Sequence, residues 1–153
     1  MTLQDKCEDD VSNSPIHAEI QNGCFVCGQQ NPNGLHIRFE QAANGEVTAA
    51  WIPMADWEGF RGIVHGGVVS TVLDEAMSKA VIGLNCEALT AELRVRFRHH
   101  VRSGEQLLIR GWVVQQDRRV IRTESTLIAA DGSERAHGWG SFLTLSNSNR
   151  ETP

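Results

Sequence analysis

The chain has 153 residues, 41% hydrophobic and 22% charged, with a formal net charge of −5. That length accommodates one domain with a real core, not two ordinary ones. The acidic balance argues against general nucleic-acid binding, and no run approaches the ~20 apolar residues that span a bilayer. The opening MTLQDKCEDD lacks a basic start and an apolar stretch, so no secretory leader or membrane partner is expected and the cytoplasm is the expected compartment. There the four cysteines, Cys7, Cys24, Cys27 and Cys86, should stand as thiols.

Residues 1–22 are polar and aperiodic and read as a tail, as does 146–153; the expected domain is 23–145. Within it the periodicity is mostly two. Leu35, Ile37 and Phe39 alternate with polar residues, and Val47, Ala49 and Trp51 follow a turn at Asn44-Gly45. Leu93, Val95 and Phe97 alternate with Arg94, Arg96 and Arg98. Three further strands, over 107–116, 119–129 and 135–145, are joined at Gln116-Asp117-Arg118 and Asp131-Gly132. One segment departs from this rhythm. Over about 67–82, Val69, Val72, Leu73, Ala76, Met77 and Ala80 recur at helical spacing, with only a narrow polar stripe. So apolar a helix needs covering on most sides. One long helix and about six antiparallel strands predict an α+β fold, a curved sheet wrapped around the helix, which is the hotdog shape.

Charge is unevenly distributed. Residues 1–93 carry 4 Lys+Arg against 13 Asp+Glu, and 94–153 carry 10 against 6. Eight arginines fall between Arg94 and Arg122, and arginine suits forked contacts with phosphate. A solvated strand face or an interface accounts for them equally well.

The most informative stretch is EGFRGIVHGGVVSTVLDEAM, Glu58–Met77. A strand-like run ends at His65, Gly66-Gly67 follows, and the apolar helix begins at once. Glycine at a helix start exposes N–H groups that have no intrahelical partner, suited to an oxygen gaining negative charge. Asp74 places a carboxylate on this apolar helix, a costly arrangement unless it is solvated or paired. Taken alone, a tight turn and a surface carboxylate explain both features.

His65-Gly66-Gly67 with Asp74 nine residues after the histidine, Glu75-Ala76-Met77, Thr90-Ala91-Glu92-Leu93 before VRFRHHV, and the entry segment CFVCGQQNPNGL together resemble the PaaI-like (phenylacetate-pathway) branch of hotdog acyl-CoA thioesterases. The resemblance covers about Cys24 to Leu145. It implies that Asp74 is the catalytic carboxylate, as general base or nucleophile. It implies that the Gly66 N–H polarises the thioester carbonyl, that Thr90 positions the attacking water, and that His65 orients the loop or the substrate. Gly67 opens the helix beside the carbonyl site. Several relatives carry Asn or Gln six residues before the motif histidine, where this chain has Gly59; others share its glycine-rich lead-in. No cofactor is implied, since CoA is part of the substrate.

Helix geometry adds a constraint. Gly66 and Asp74 lie eight residues apart, ~12 Å along one helix axis, whereas one thioester needs both within ~3–3.5 Å of its reacting atoms. Two antiparallel helices of a two-fold homodimer satisfy both, so shared sites are expected, with a dimer of dimers as an extension.

Cys24-Phe25-Val26-Cys27-Gly28 has the spacing of half a zinc site, but no second pair follows, so a structural turn and no metal are expected. Arg94, Arg96, Arg98, His99 and Arg102 are the candidates for CoA phosphate contact, and Trp57, in the lead-in to the motif, for the acyl pocket. The expected activity is acyl-CoA hydrolysis. The alternatives are a hotdog protein that binds acyl-CoA without cleaving it, and a dehydratase acting on acyl-carrier protein.

Overall fold

The computed structural model describes residues 23–145; the two predicted tails lie outside them. In chain order the elements are β1 (Glu40–Gln41), β2 (Val47–Trp51), a 3-10 turn (Ala55–Trp57), β3 (Glu58–Phe60), β4 (Ile63–Val64), α1 (Gly66–Ile82), β5 (Ala88–Phe97), β6 (Leu107–Gln116), β7 (Val120–Ala129) and β8 (Glu134–Thr144). Six strands form one antiparallel sheet in the order β1-β2-β6-β7-β8-β5, and β3 and β4 make a small hairpin of their own. The helix packs against this sheet, as the hotdog reading requires.

The apolar spacing that predicts α1 is also what buries it. Val69, Val72, Leu73, Ala76, Met77 and Ala80 are all in the core, joined by Val81. Close approach to the sheet depends on glycine: a Cβ at Gly111 of β6 would stand 2.5 Å from Ala76 O. Two of the three predicted turns, at Asn44-Gly45 and Asp131-Gly132, place glycine at positive φ. Gly45 and Gly132 take φ of 85° and 83°, and Asn44 and Asp131 accept the backbone N–H two residues on, which favours these residues in tight turns.

Three expectations change. Leu35 and Ile37 are buried as the alternation implies, but they join no sheet strand. Their N–H groups donate instead to Phe25 O and Val26 O, so the entry segment folds back on itself. β5 is the last strand of the sheet, and its apolar residues Leu89, Leu93 and Phe97 are 57%, 37% and 53% exposed. Of the predicted alternation, Val95 packs against the core while Leu93 and Phe97 stay exposed, because no described element covers that edge. Finally, Cys86 is disulfide-bonded rather than a thiol. It is buried beside Met77, Val81, Ile121 and Phe142. Cys24 and Cys27 are thiols, as expected.

Candidate active site

The start of α1 is built by His65. Its backbone is extended (φ −59°, ψ 131°), and its Nδ1 accepts the Gly67 N–H at 2.9 Å, so the imidazole itself caps the helix. Val68 and Val69 N–H donate to His65 O. These bonds take up three first-turn donors and leave the Gly66 N–H outside them. Gly66 borders an open cleft of about 300 Å³ lined also by Val69, Phe97, Arg98, His99 and His100.

The loop leading to this start is fixed by a residue the sequence did not single out. Glu58 accepts the Gly62 N–H through Oε2 at 2.8 Å and the Ser103 hydroxyl through Oε1 at 2.5 Å. The Ser103 bond, then that from Gly62, hold its carboxyl below the usual range despite some desolvation. Ser103 N–H closes the connection on Gly62 O. Nothing in spacing marks Glu58, since its partner lies 45 residues away.

Gly59, the position at which the resemblance leads to an amide in several members but not in others, abuts the same histidine. A Cβ there would lie 3.1 Å from His65 Cδ2 and 3.3 Å from its Cα. The ring that caps α1 fills the space an Asn side chain would enter.

Asp74 sits midway along α1, half-buried, and Thr90 Oγ1 on β5 donates to its Oδ1 at 2.9 Å. Burial pushes the Asp74 carboxyl up; the Thr90 bond opposes this and the neighbouring Glu75 carboxylate adds to it. The result is a carboxylate less willing to stay charged than an exposed one, held by one hydroxyl at the open edge of the sheet. Asp74 and Thr90, sixteen residues apart, are thus brought together. Gly66 stays eight residues away on the same helix.

The other candidates divide. Arg98 and His99 border the Gly66 cleft, with Arg98 also paired to Glu134 at 2.5 Å. Arg94 and Arg96 pair in register with Trp139 and His137, and the Arg94 guanidinium lies over the Trp139 ring at 4.3 Å. The intervening Leu93 and Val95 pair with Gly140 and Gly138, whose Cβ directions meet Met77 and Leu73 of α1. Arg94 and Arg96 therefore occupy the sheet face away from the helix. Arg102 is exposed at the turn that Ile63 bridges. Trp57 stacks on Trp51, with centroids 6.2 Å apart, and packs against the core rather than bordering the cleft. The entry segment brings Cys24 and Cys27 against Glu75 of α1. Burial first, then Glu75, pushes the Cys27 thiol up to about 12, with Lys79 acting in the opposite direction.

Residues 61–136, just under half of the chain, match the Thioesterase superfamily, and the helix-and-sheet architecture is that of a hotdog fold. Among solved structures, the thioesterase superfamily protein RHA08564 is 26% identical with a TM-score of 0.76 over 80% of this chain; the match spans 63% of that protein, a little under two thirds of its length. The Escherichia coli PaaI protein of the phenylacetic acid degradation operon is 16% identical (TM-score 0.69, 73% of this chain and 81% of that one). A hypothetical thioesterase of Streptococcus pneumoniae, solved with coenzyme A, is 18% identical (TM-score 0.68, 72% and 89%). Variants of that streptococcal protein with alanine in place of an aspartate, and of a threonine sixteen positions further on, share the fold. Among curated proteins, none matches the chain in sequence.

Proposed function

We propose that the protein hydrolyses acyl-CoA thioesters, with Asp74 as general base, Thr90 placing the water and the Gly66 N–H receiving the oxyanion. The observation that carries this reading is the 2.9 Å hydrogen bond from Thr90 to a half-buried Asp74 at an open sheet edge. Asp74 takes a proton from water as the oxygen adds to the carbonyl carbon. Negative charge on the carbonyl oxygen is met by the Gly66 N–H at the positive end of α1. Collapse breaks the C–S bond, and the CoA thiolate leaves and is protonated, giving acid and thiol from thioester and water. No cofactor enters this sequence.

The same reading makes each site the joint property of two chains. The ~12 Å between Gly66 and Asp74 on one helix and the uncovered apolar residues of β5 both favour a two-fold partner along that edge. A dimer of dimers is compatible with it. The CoA carried by the streptococcal relative supports CoA as the thiol, and the Asp and Thr spacing in its variants equals that of Asp74 and Thr90. PaaI-like placement rests on the motif resemblance and on the fold shared with the E. coli protein. Phosphate contact is best supplied by Arg98, His99 and Arg102. None of the described helices is long and apolar enough to cross a membrane.

The experiment is thiol release by purified protein from short, medium, long and aromatic acyl-CoAs, compared with the Asp74→Asn variant. Turnover by wild type and its loss in the variant are expected. Tight acyl-CoA binding without thiol release would instead establish the binding-only alternative, to which Gly59 lends its one observation.

A further inference from the structure

The entry segment 24–28 and α1 meet at a point the proposed hydrolysis does not use. Cys24 Sγ, Cys27 Sγ and a Glu75 carboxylate oxygen all lie within 4.8 Å of one another, each partly buried. Cys24 Sγ stands 3.7 Å from Glu75 Oε1. Tetrahedral zinc, with bonds of about 2.3 Å to sulfur and about 2.1 Å to oxygen, sets a sulfur and an oxygen ligand about 3.6 Å apart and two sulfurs about 3.8 Å apart. One of these spacings is already met.

The local backbone has the form such a pair needs. Val26 N–H donates to Cys24 Sγ at 3.3 Å, a bond that favours a charged sulfur. Gly28 N–H closes the turn on Cys24 O at 2.9 Å, and a Cβ at Gly28 would stand 2.5 Å from both Cys24 N and Cys24 O. The tight turn holding the two sulfurs on one side therefore admits only glycine after the second cysteine. The third donor comes from a helix far along the chain, with Lys79 Nζ 3.7 Å from its Oε1 as the cation now beside it.

We propose that Cys24, Cys27 and Glu75 form a zinc site, with a fourth position open to water. Two thiolates and a carboxylate are a donor set for zinc rather than for magnesium or calcium. Lys79 withdraws from Glu75 as the divalent ion takes its place. Glu75 follows Asp74 by one residue, so their side chains diverge by about 100° around the helix. The metal thus fastens the entry segment to the middle of α1 and does not reach the water on Asp74. The proposal is independent of the hydrolytic reading: it concerns different side chains and is read without activity.

The test is titration of reduced, tag-free, full-length protein with Co²⁺ and then Zn²⁺. A thiolate-to-cobalt charge-transfer band saturating at one ion per chain and abolished by zinc is expected. Zinc should also raise the Tm of the wild type. Cys24→Ser with Cys27→Ser should remove the band. Glu75→Ala, a change the helix tolerates by propensity, should weaken cobalt binding at least ~10-fold, the least expected for losing a ligand when second-shell changes alone cost that much. Absence of the band in wild type overturns the site without recourse to any variant. A band with unaltered affinity in Glu75→Ala overturns the three-residue assignment.

Discussion

Thr90 Oγ1 on β5 and Asp74 Oδ1 on α1 are joined at 2.9 Å, and this bond opposes the burial that pushes the Asp74 carboxyl up. A base must be deprotonated to act, so Asp74 sets the acid limb of the rate profile. Removing the hydroxyl removes the one interaction that favours its charged form. Thr90→Val should therefore move the acid limb of kcat/KM to higher pH as well as lower the plateau. A lower plateau with an unmoved limb would mean that Thr90 does not touch the titrating group.

Asp74→Asn should lower turnover by at least ~10²-fold, the usual contribution of a general base. It should do so without loss of stability at neutral pH. The sign follows from the raised pKa: a carboxyl protonated more readily when folded than when unfolded contributes stability below its unfolded pKa and loses it as pH rises through the folded value. At neutral pH the charged, half-buried carboxylate is thus a liability that Asn removes. Thermal unfolding at pH 7 and at pH 4 checks this, with the gain of the variant larger at pH 7. Asp131→Asn, in the far β7–β8 turn, serves as the control for activity.

His65 caps α1 through its ring, so His65→Ala should cost about 1 kcal/mol, as loss of an N-cap does. It should also lower kcat, because the helix start that holds the Gly66 N–H frays. His65→Asn supplies a capping oxygen and should recover most of both losses. Recovery of stability without activity would show that the imidazole contacts the substrate as well. Urea unfolding paired with steady-state kinetics separates the two outcomes.

Arg102→Glu should raise KM for acyl-CoA more than for a short thioester lacking the nucleotide, and the difference should shrink at high salt. Arg94→Glu, on the other face of the sheet, should not discriminate between the two substrates. Equal effects of Arg102→Glu on both would assign that arginine to the fold.

Shared sites make a quantitative prediction. Gly67→Phe blocks the helix start, where even a Cβ would lie 2.9 Å from His65 Nδ1, and Asp74→Asn removes the base. In a heterodimer of the two, one site carries both lesions and the other neither. Random reassortment makes about half the dimers hetero, so activity should recover to roughly a quarter of wild type by the symmetry of the interface. No recovery from a mixture shown to exchange subunits would place Gly66 and Asp74 in one chain's site.

The sequence by itself determined the helix, the long strands and their turns, because periods of 3.6 and 2 record which face each element must bury. Val69, Leu73, Ala76 and Met77 are legible this way, as are the turns at Asn44-Gly45 and Asp131-Gly132. The HGG motif with Asp74 was legible as a pattern. That Thr90 serves the same site as Asp74 came from the motif resemblance alone; no local period shows it, because sixteen residues and a change of element separate them. Only the tertiary structure decided which donors the helix start has to spare, since His65 takes one with its own ring. It alone revealed Glu58 tying the motif loop to Ser103, and Glu75 as the third group beside Cys24 and Cys27. The alternation of Arg94 and Arg96 fixes their shared face but not what lies opposite it, and Arg98, past the end of β5, borders the Gly66 cleft; β5 ended at the sheet edge, where the described residues leave Leu93 and Phe97 exposed. Local pattern records burial along one element. Contacts between elements distant in sequence depend on sheet order and register, which no local period encodes.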